Sequence, residues 1–271
     1  MLFFDKLEAS QMRAGGLVCV GLDPDPSRLP ETVRRAGNPQ LAFNLALVES
    51  LSAAACCFKL QSAYYEAQGL DGLKALQETI RAIPKEIPVI LDAKRNDIGS
   101  SAEQYAKAAF ETWGADALTV NPYMGADSLA PFLAYEEKGV YILCLTSNPG
   151  AADFQIPGDL ALRVAESATR WNGARNIGLV VGATQAERMA GVRAAAPDLP
   201  FLVPGVGAQG GSAADVARTG RMAPGAAWAP GFVVNASRSI MHASSGADFA
   251  EAALRETIRL RDEINAALEG R

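Results

Sequence analysis

PVILDAKRNDIG, residues 88–99, joins two kinds of sequence end to end. Residues 88–93 form a short apolar run with β-branched side chains, the composition of a strand buried on both faces in a parallel sheet. Asp92, Lys94 and Asp97 then crowd its C-terminal end. Similar apolar runs recur at 17–22 (LVCVGL), 54–60 (AACCFKL), 117–120 (ALTV), 140–145 (VYILCL), 177–182 (IGLVVG), 200–204 (PFLVP) and 231–236 (GFVVNA). Helical patterns lie between them. Asn38-Pro39 reads as an N-cap and first-turn proline ahead of an apolar stripe of Leu41, Leu45 and Val48. Leu73, Leu76, Ile80 and Ile83 keep helical spacing until Pro84, and a closing helix covers 247–269. Eight strands alternating with helices predict an α/β fold, a (β/α)8 TIM barrel forming a single catalytic domain over residues 1–271. A doubly wound open sheet is the rival architecture.

A barrel of this kind carries its active site at the C-terminal strand ends. The apolar runs meet that demand. Asp23 follows the first, Lys59 ends the second, and Asp92, Lys94 and Asp97 end the third. Asn121 follows the fourth, Thr146 and Ser147 the fifth, Gly205 to Gly211 the seventh, and Arg238 the eighth.

In a strand, Asp92 and Lys94 share one face, about 7 Å apart at roughly 3.4 Å per residue. Lys59, from the neighbouring run, is placed to join them and Asp97 in an alternating Lys-Asp-Lys-Asp array. A lysine flanked by carboxylates stays charged, which makes it a poor base but a good proton donor to a carbanion. Spacing alone equally admits a salt-bridge network closing the barrel mouth. PGVGAQGG (204–211) spells G-x-G-x-x-G at Gly205, Gly207 and Gly210, yet no acid ends the next run to hold a dinucleotide ribose. A phosphate site built from backbone amides, Gln209 and Arg238 suits the position after a seventh strand; a tight turn is the plainer reading. The stretch SNPGAADFQIPGD (147–159) is either a lid or an irregular loop.

Composition narrows the chemistry. Hydrophobic residues make up 49% and charged residues 20% of the 271 positions, ample for a large core. No stretch approaches the ~20 apolar residues needed to span a bilayer. The first eight residues, MLFFDKLE, carry acids and a base and do not suit a secretory signal, so a cytoplasmic location is expected. A net charge of −5 argues against nucleic acid or an anionic membrane as partner. With a single histidine, His242, three-histidine metal sites are excluded, and His242 itself reads as solvated or capping. Cys19, Cys56, Cys57 and Cys144 lie inside apolar runs without CxxC spacing and read as buried structural thiols.

Taken together, GLDPDP (21–26), Lys59, D-x-K-x-x-D-I-G-x-S (Asp92 to Ser101), PGVGAQGG and ASRSI (236–240) resemble the orotidine 5'-phosphate decarboxylases, particularly the longer bacterial subgroup. The family usually has threonine where this chain has Ser101; the hydroxyl is retained. The resemblance implies decarboxylation of orotidine 5'-phosphate to UMP, the last step of pyrimidine nucleotide synthesis, without metal or organic cofactor. It further implies that Lys94 protonates the ring carbanion, that Asp92 and Lys59 complete the charged array, and that Lys59 and Asp23 contact the ribose. Ser147 would bind the pyrimidine amide, and Gln209 and Arg238 the phosphate. Asp97 and Ser101 would enter the site of a partner subunit in a homodimer. Metal-dependent sugar-phosphate decarboxylases or aldolases on a similar barrel, and a non-catalytic phosphate-binding barrel, are the alternatives.

Overall fold

The computed structural model describes residues 1–206, 210–223 and 230–270. The apolar runs become strands β1 (Val18–Gly21), β2 (Cys57–Gln61), β3 (Val89–Arg95), β4 (Ala117–Val120), β5 (Gly139–Leu145), β6 (Ile177–Val181), β7 (Phe201–Pro204) and β8 (Phe232–Ala236). Every neighbouring pair is parallel, and β8 pairs with β1, so the sheet closes into a barrel in sequence order. A closed parallel sheet has two distinct faces, and the period of two sorts residues between them. Val18 and Val20, Phe58 and Leu60, and Val89 and Leu91 belong to the core between sheet and helices. Cys19, Cys57, Ile90, Ala117, Tyr141, Val180, Leu202 and Val233, one from each strand, form a second buried cluster inside the barrel.

The helix Phe3–Ala14 was not anticipated from the sequence, and it closes the N-terminal end of the barrel. Phe3 and Phe4 set their rings edge-on to Tyr141, at centroid distances of 6.0 and 5.8 Å. Lys6 Nζ pairs with Asp116 at 2.9 Å, and Gln11 Nε2 donates to the Phe232 carbonyl at 3.2 Å. A Cβ at Gly139 would lie 2.3 Å from the Phe3 ring, so the fit of this helix under β5 requires glycine there.

Asn38 caps the helix Pro39–Leu51, its side chain accepting from Leu41 N–H at 3.0 Å, as the Asn-Pro signal predicts. The apolar stripe predicted on this helix is corrected. Its buried face is Phe43, Leu47, Val48 and Leu51 with Gln40 and Asn44, while Leu45 is exposed. The face holds two amides because each is bonded: Asn44 donates to Tyr65 Oη at 3.0 Å and Thr79 Oγ1 at 2.9 Å, and Gln40 to the Pro24 and Tyr64 carbonyls at 3.3 and 3.1 Å. The helices Gly69–Ala82 and Phe249–Glu269 match the other two patterns. All four cysteines are free and buried, and burial pushes the Cys144 thiol up to about 12. His242 takes the capping alternative: it is the C-cap of the helix Arg238–Met241, half-buried and stacked on Phe43.

Candidate active site

Two residues beyond the apolar floor, the inward-facing positions of β2, β3, β4 and β8 are Lys59, Asp92, Thr119 and Asn235. All four are buried. The interior thus turns from apolar to polar within one step of the strand period, on the C-terminal side. Lys59 Nζ lies 3.1 Å from Asp92 Oδ2 and 3.7 Å from Asp23 Oδ1. Lys94 Nζ lies 2.6 Å from Asp92 Oδ1. The chain of charges therefore runs Asp23, Lys59, Asp92, Lys94: Asp23 joins at the Lys59 end, opposite to the Lys94 end where the sequence spacing put Asp97.

Each member is fixed by further bonds. Asp23 Oδ1 accepts from Gln61 N–H at 2.9 Å, and its Oδ2 accepts from Ser237 Oγ at 2.7 Å. Gly21 permits that approach, since a Cβ there would fall 1.8 Å from Ser237 Oγ. Asp92 Oδ1 also accepts from Thr119 Oγ1 at 2.8 Å. Burial alone would raise the Asp92 pKa; the charges of Lys59 and Lys94, with hydrogen bonds from Lys94 and Thr119, more than reverse this and hold it well below the carboxylate range. Burial likewise opposes the charge on Lys59, but Asp23 and Asp92 outweigh it and raise its pKa above the ordinary lysine value.

The end of β3 departs from regular strand geometry. Leu91 pairs with Leu118 and Arg95 with Val120, so Asp92, Ala93 and Lys94 together face the single residue Thr119. Lys94 takes φ +49°, a left-handed conformation that costs a non-glycine residue about 1–2 kcal/mol. This bulge brings the Lys94 ammonium back onto Asp92 and leaves its side chain 44% exposed, against 5% for Lys59. Beyond it, Arg95 pairs with Glu66 and lies over the Tyr105 ring, 5.2 Å from its centroid.

The remaining candidates lie around this array. Asp97 is half-buried, accepts from the Ile98 N–H at 2.8 Å, and forms no ion pair with a described residue. Ser101 is exposed in the first turn of the helix Gly99–Lys107. The Ser147 carbonyl accepts from Thr184 Oγ1 at 3.2 Å. Arg238 begins the short helix Arg238–Met241 after β8, exposed. Gln209 and Gly207 lie outside the described residues; Gly211 N–H donates to the Gly205 carbonyl at 3.1 Å across the base of the loop after β7. The stretch 147–159 contains the helix Ala151–Phe154, and Gln155 ties it to Thr146 at the end of β5 through the Thr146 N–H at 2.7 Å. Among the described residues, no three His, Cys, Asp or Glu side chains are grouped to hold a metal ion, and no helix is long and apolar enough to cross a membrane.

Sequence reasoning missed Thr119 and Ser237. Alternation within ALTV carried a signal for the first, because it puts Thr119 on the interior face with Ala117. Nothing comparable pointed to Ser237.

Fold and site together define a (β/α)8 barrel with interlocked lysines and aspartates at its C-terminal mouth. The chain belongs to the Orotidine 5'-phosphate decarboxylase / HUMPS family, whose pattern matches residues 16–253. It is 46% identical over 271 residues to the orotidine 5'-phosphate decarboxylase of Ralstonia pickettii, covering 98% of each chain. With the enzyme of the same name from an Azoarcus species it shares 48% over 272 residues, covering 98% of this chain and 99% of the relative. The solved structure of Leishmania donovani OMP decarboxylase superposes with a TM-score of 0.83 at 41% identity, covering 99% of both chains.

Proposed function

We propose that this chain decarboxylates orotidine 5'-phosphate to UMP. The observation that carries the reading is the Asp23–Lys59–Asp92–Lys94 chain, in which one ammonium, Lys94, is both carboxylate-bound and open to the mouth. Relatives at 46–48% identity over nearly the whole chain support the same substrate. Cleavage of the ring C6–carboxylate bond leaves its electron pair in an in-plane orbital with no conjugated sink. The Lys94 ammonium, paired with Asp92, meets that charge as it develops and gives its proton to C6, after which the amine regains a proton from solvent. Carbon dioxide and UMP are the products, and no metal or organic cofactor takes part.

In this reading Lys59 and Asp23 bind the ribose hydroxyls, Ser147 the pyrimidine amide, and Gln209 and Arg238 the phosphate. The exposed Arg238 guanidinium suits a bidentate phosphate contact. Asp97 and Ser101 act in the site of a second subunit. Supporting this, Ile98, Tyr105, Tyr123 and Met124 stand exposed on the segments after the adjacent strands β3 and β4, an apolar setting suited to a homodimer. A biosynthetic role and four free thiols suit the cytoplasm. The test is loss of orotidylate absorbance with and without EDTA. Full activity after exhaustive chelation is expected; activity that vanishes in EDTA and returns with magnesium would favour a metal-dependent sugar-phosphate enzyme instead.

A further inference from the structure

Where three residues of β3 face one residue of β4, the regular ladder bonds are lost, and the Thr119 hydroxyl stands in their place. Its single proton goes to Asp92 Oδ1 at 2.8 Å, which leaves its lone pairs to accept the Lys94 N–H at 3.0 Å. Thr119 is 1% exposed, so water does not substitute for either bond. The oxygen it binds on Asp92 is the one that Lys94 Nζ also binds, while the other faces Lys59.

We propose that Thr119 is a positioning residue for the decarboxylation, an inference that rests on the proposed function. By accepting from the Lys94 N–H it holds the backbone in its left-handed turn and so sets where the lysine stem begins. By donating to Asp92 Oδ1 it fixes the rotation of the carboxylate that receives the far end of the same side chain. Both ends of Lys94 are thereby referred to one hydroxyl. No part of Thr119 need touch the substrate, since it is 1% exposed and its hydroxyl is engaged by Asp92 and the Lys94 N–H.

Valine matches threonine in shape and lacks both the donor and the acceptor; serine keeps both and loses only a methyl. In Thr119→Val, kcat on orotidine 5'-phosphate should fall about 100-fold, the scale of an ångström-sized misplacement of a reacting group. UMP binding, followed by calorimetry, should change less than about threefold, because the phosphate and pyrimidine contacts of the proposed reading come from Ser147, Gln209 and Arg238 and not from β4. Thr119→Ser should recover most of the turnover. If valine prevents folding, Thr119→Ala makes the same comparison. Wild-type turnover in the hydroxyl-free variant, equal losses of turnover and UMP binding, or a serine variant as slow as valine would each overturn the positioning role. Wild-type protein inert toward orotidine 5'-phosphate is a different result, and it would overturn the proposed function itself.

Discussion

Lys94 occupies an unusual position for a side chain asked to deliver a proton. Its backbone is left-handed, its ammonium is bonded to a buried carboxylate, and yet nearly half of its side chain faces the mouth. Lys94→Ala should therefore abolish turnover while UMP still binds, which single-turnover assays and calorimetry would separate; appreciable turnover in that variant would defeat the proton-donor role. Asp92 makes a prediction of a different kind. Its folded-state pKa is depressed, so the stability it contributes is complete above the ordinary carboxylate value of 3.8 and is lost as pH falls through that value toward the folded one. Asp92→Asn removes the titrating group. The melting temperature of the variant should be lower than wild type at neutral pH, where Lys59 and Lys94 lose their partner. It should also decline less steeply from about pH 5 to about pH 2.5. Parallel acid limbs for the two proteins would place the acid sensitivity elsewhere.

At the scale of the element, what the sequence disclosed depended on how local the cause was. Strands were legible because each is a short apolar run, and β4 coincides with ALTV at both ends. The Asn38 cap was legible because it needs only a few consecutive residues. The buried face of the helix Pro39–Leu51 was not, since Gln40 and Asn44 are buried by partners far along the chain, among them Pro24 O, Tyr65 and Thr79. For the same reason the Asp92–Lys94 part of the array could be read from spacing, whereas the arrival of Asp23 beside Lys59 depends on the register in which β1 pairs with β2. Arg193 is another residue with no local signature. From the helix Ala186–Ala195 it donates to the carbonyls of Leu199, Gly220 and Gly231 at 2.7, 2.7 and 3.1 Å, and its guanidinium lies 3.6 Å over the Phe201 ring. It joins the approaches to β7 and β8. Arg193→Met keeps the stem and strands those carbonyls, so urea unfolding should show a loss of about 3 kcal/mol. A change below about 0.5 kcal/mol, typical of an ordinary surface position, would mean that solvent replaces the guanidinium.

At the scale of the whole molecule, each site in the proposed reading is divided between two chains. Asp97 has no ion-pair partner among the described residues, and Ser101 is exposed. Lys94→Ala and Asp97→Ala are each expected to be inactive. If their subunits exchange at random, about half the dimers are mixed, and each mixed dimer has one site with both residues intact, so roughly a quarter of wild-type activity should return. Proven exchange with no recovered activity would assign Asp97 to its own subunit and leave the barrel and its charged array untouched.

The helix Phe3–Ala14 gives this barrel a bottom. With Phe3 and Phe4 against Tyr141, and a ring of side chains from all eight strands above them, the interior is a blind well and not a conduit. Whatever reaches Lys94 arrives and departs through the same opening. In the proposed reaction the gas and the nucleotide must then share one exit, the mouth at the C-terminal ends of the strands.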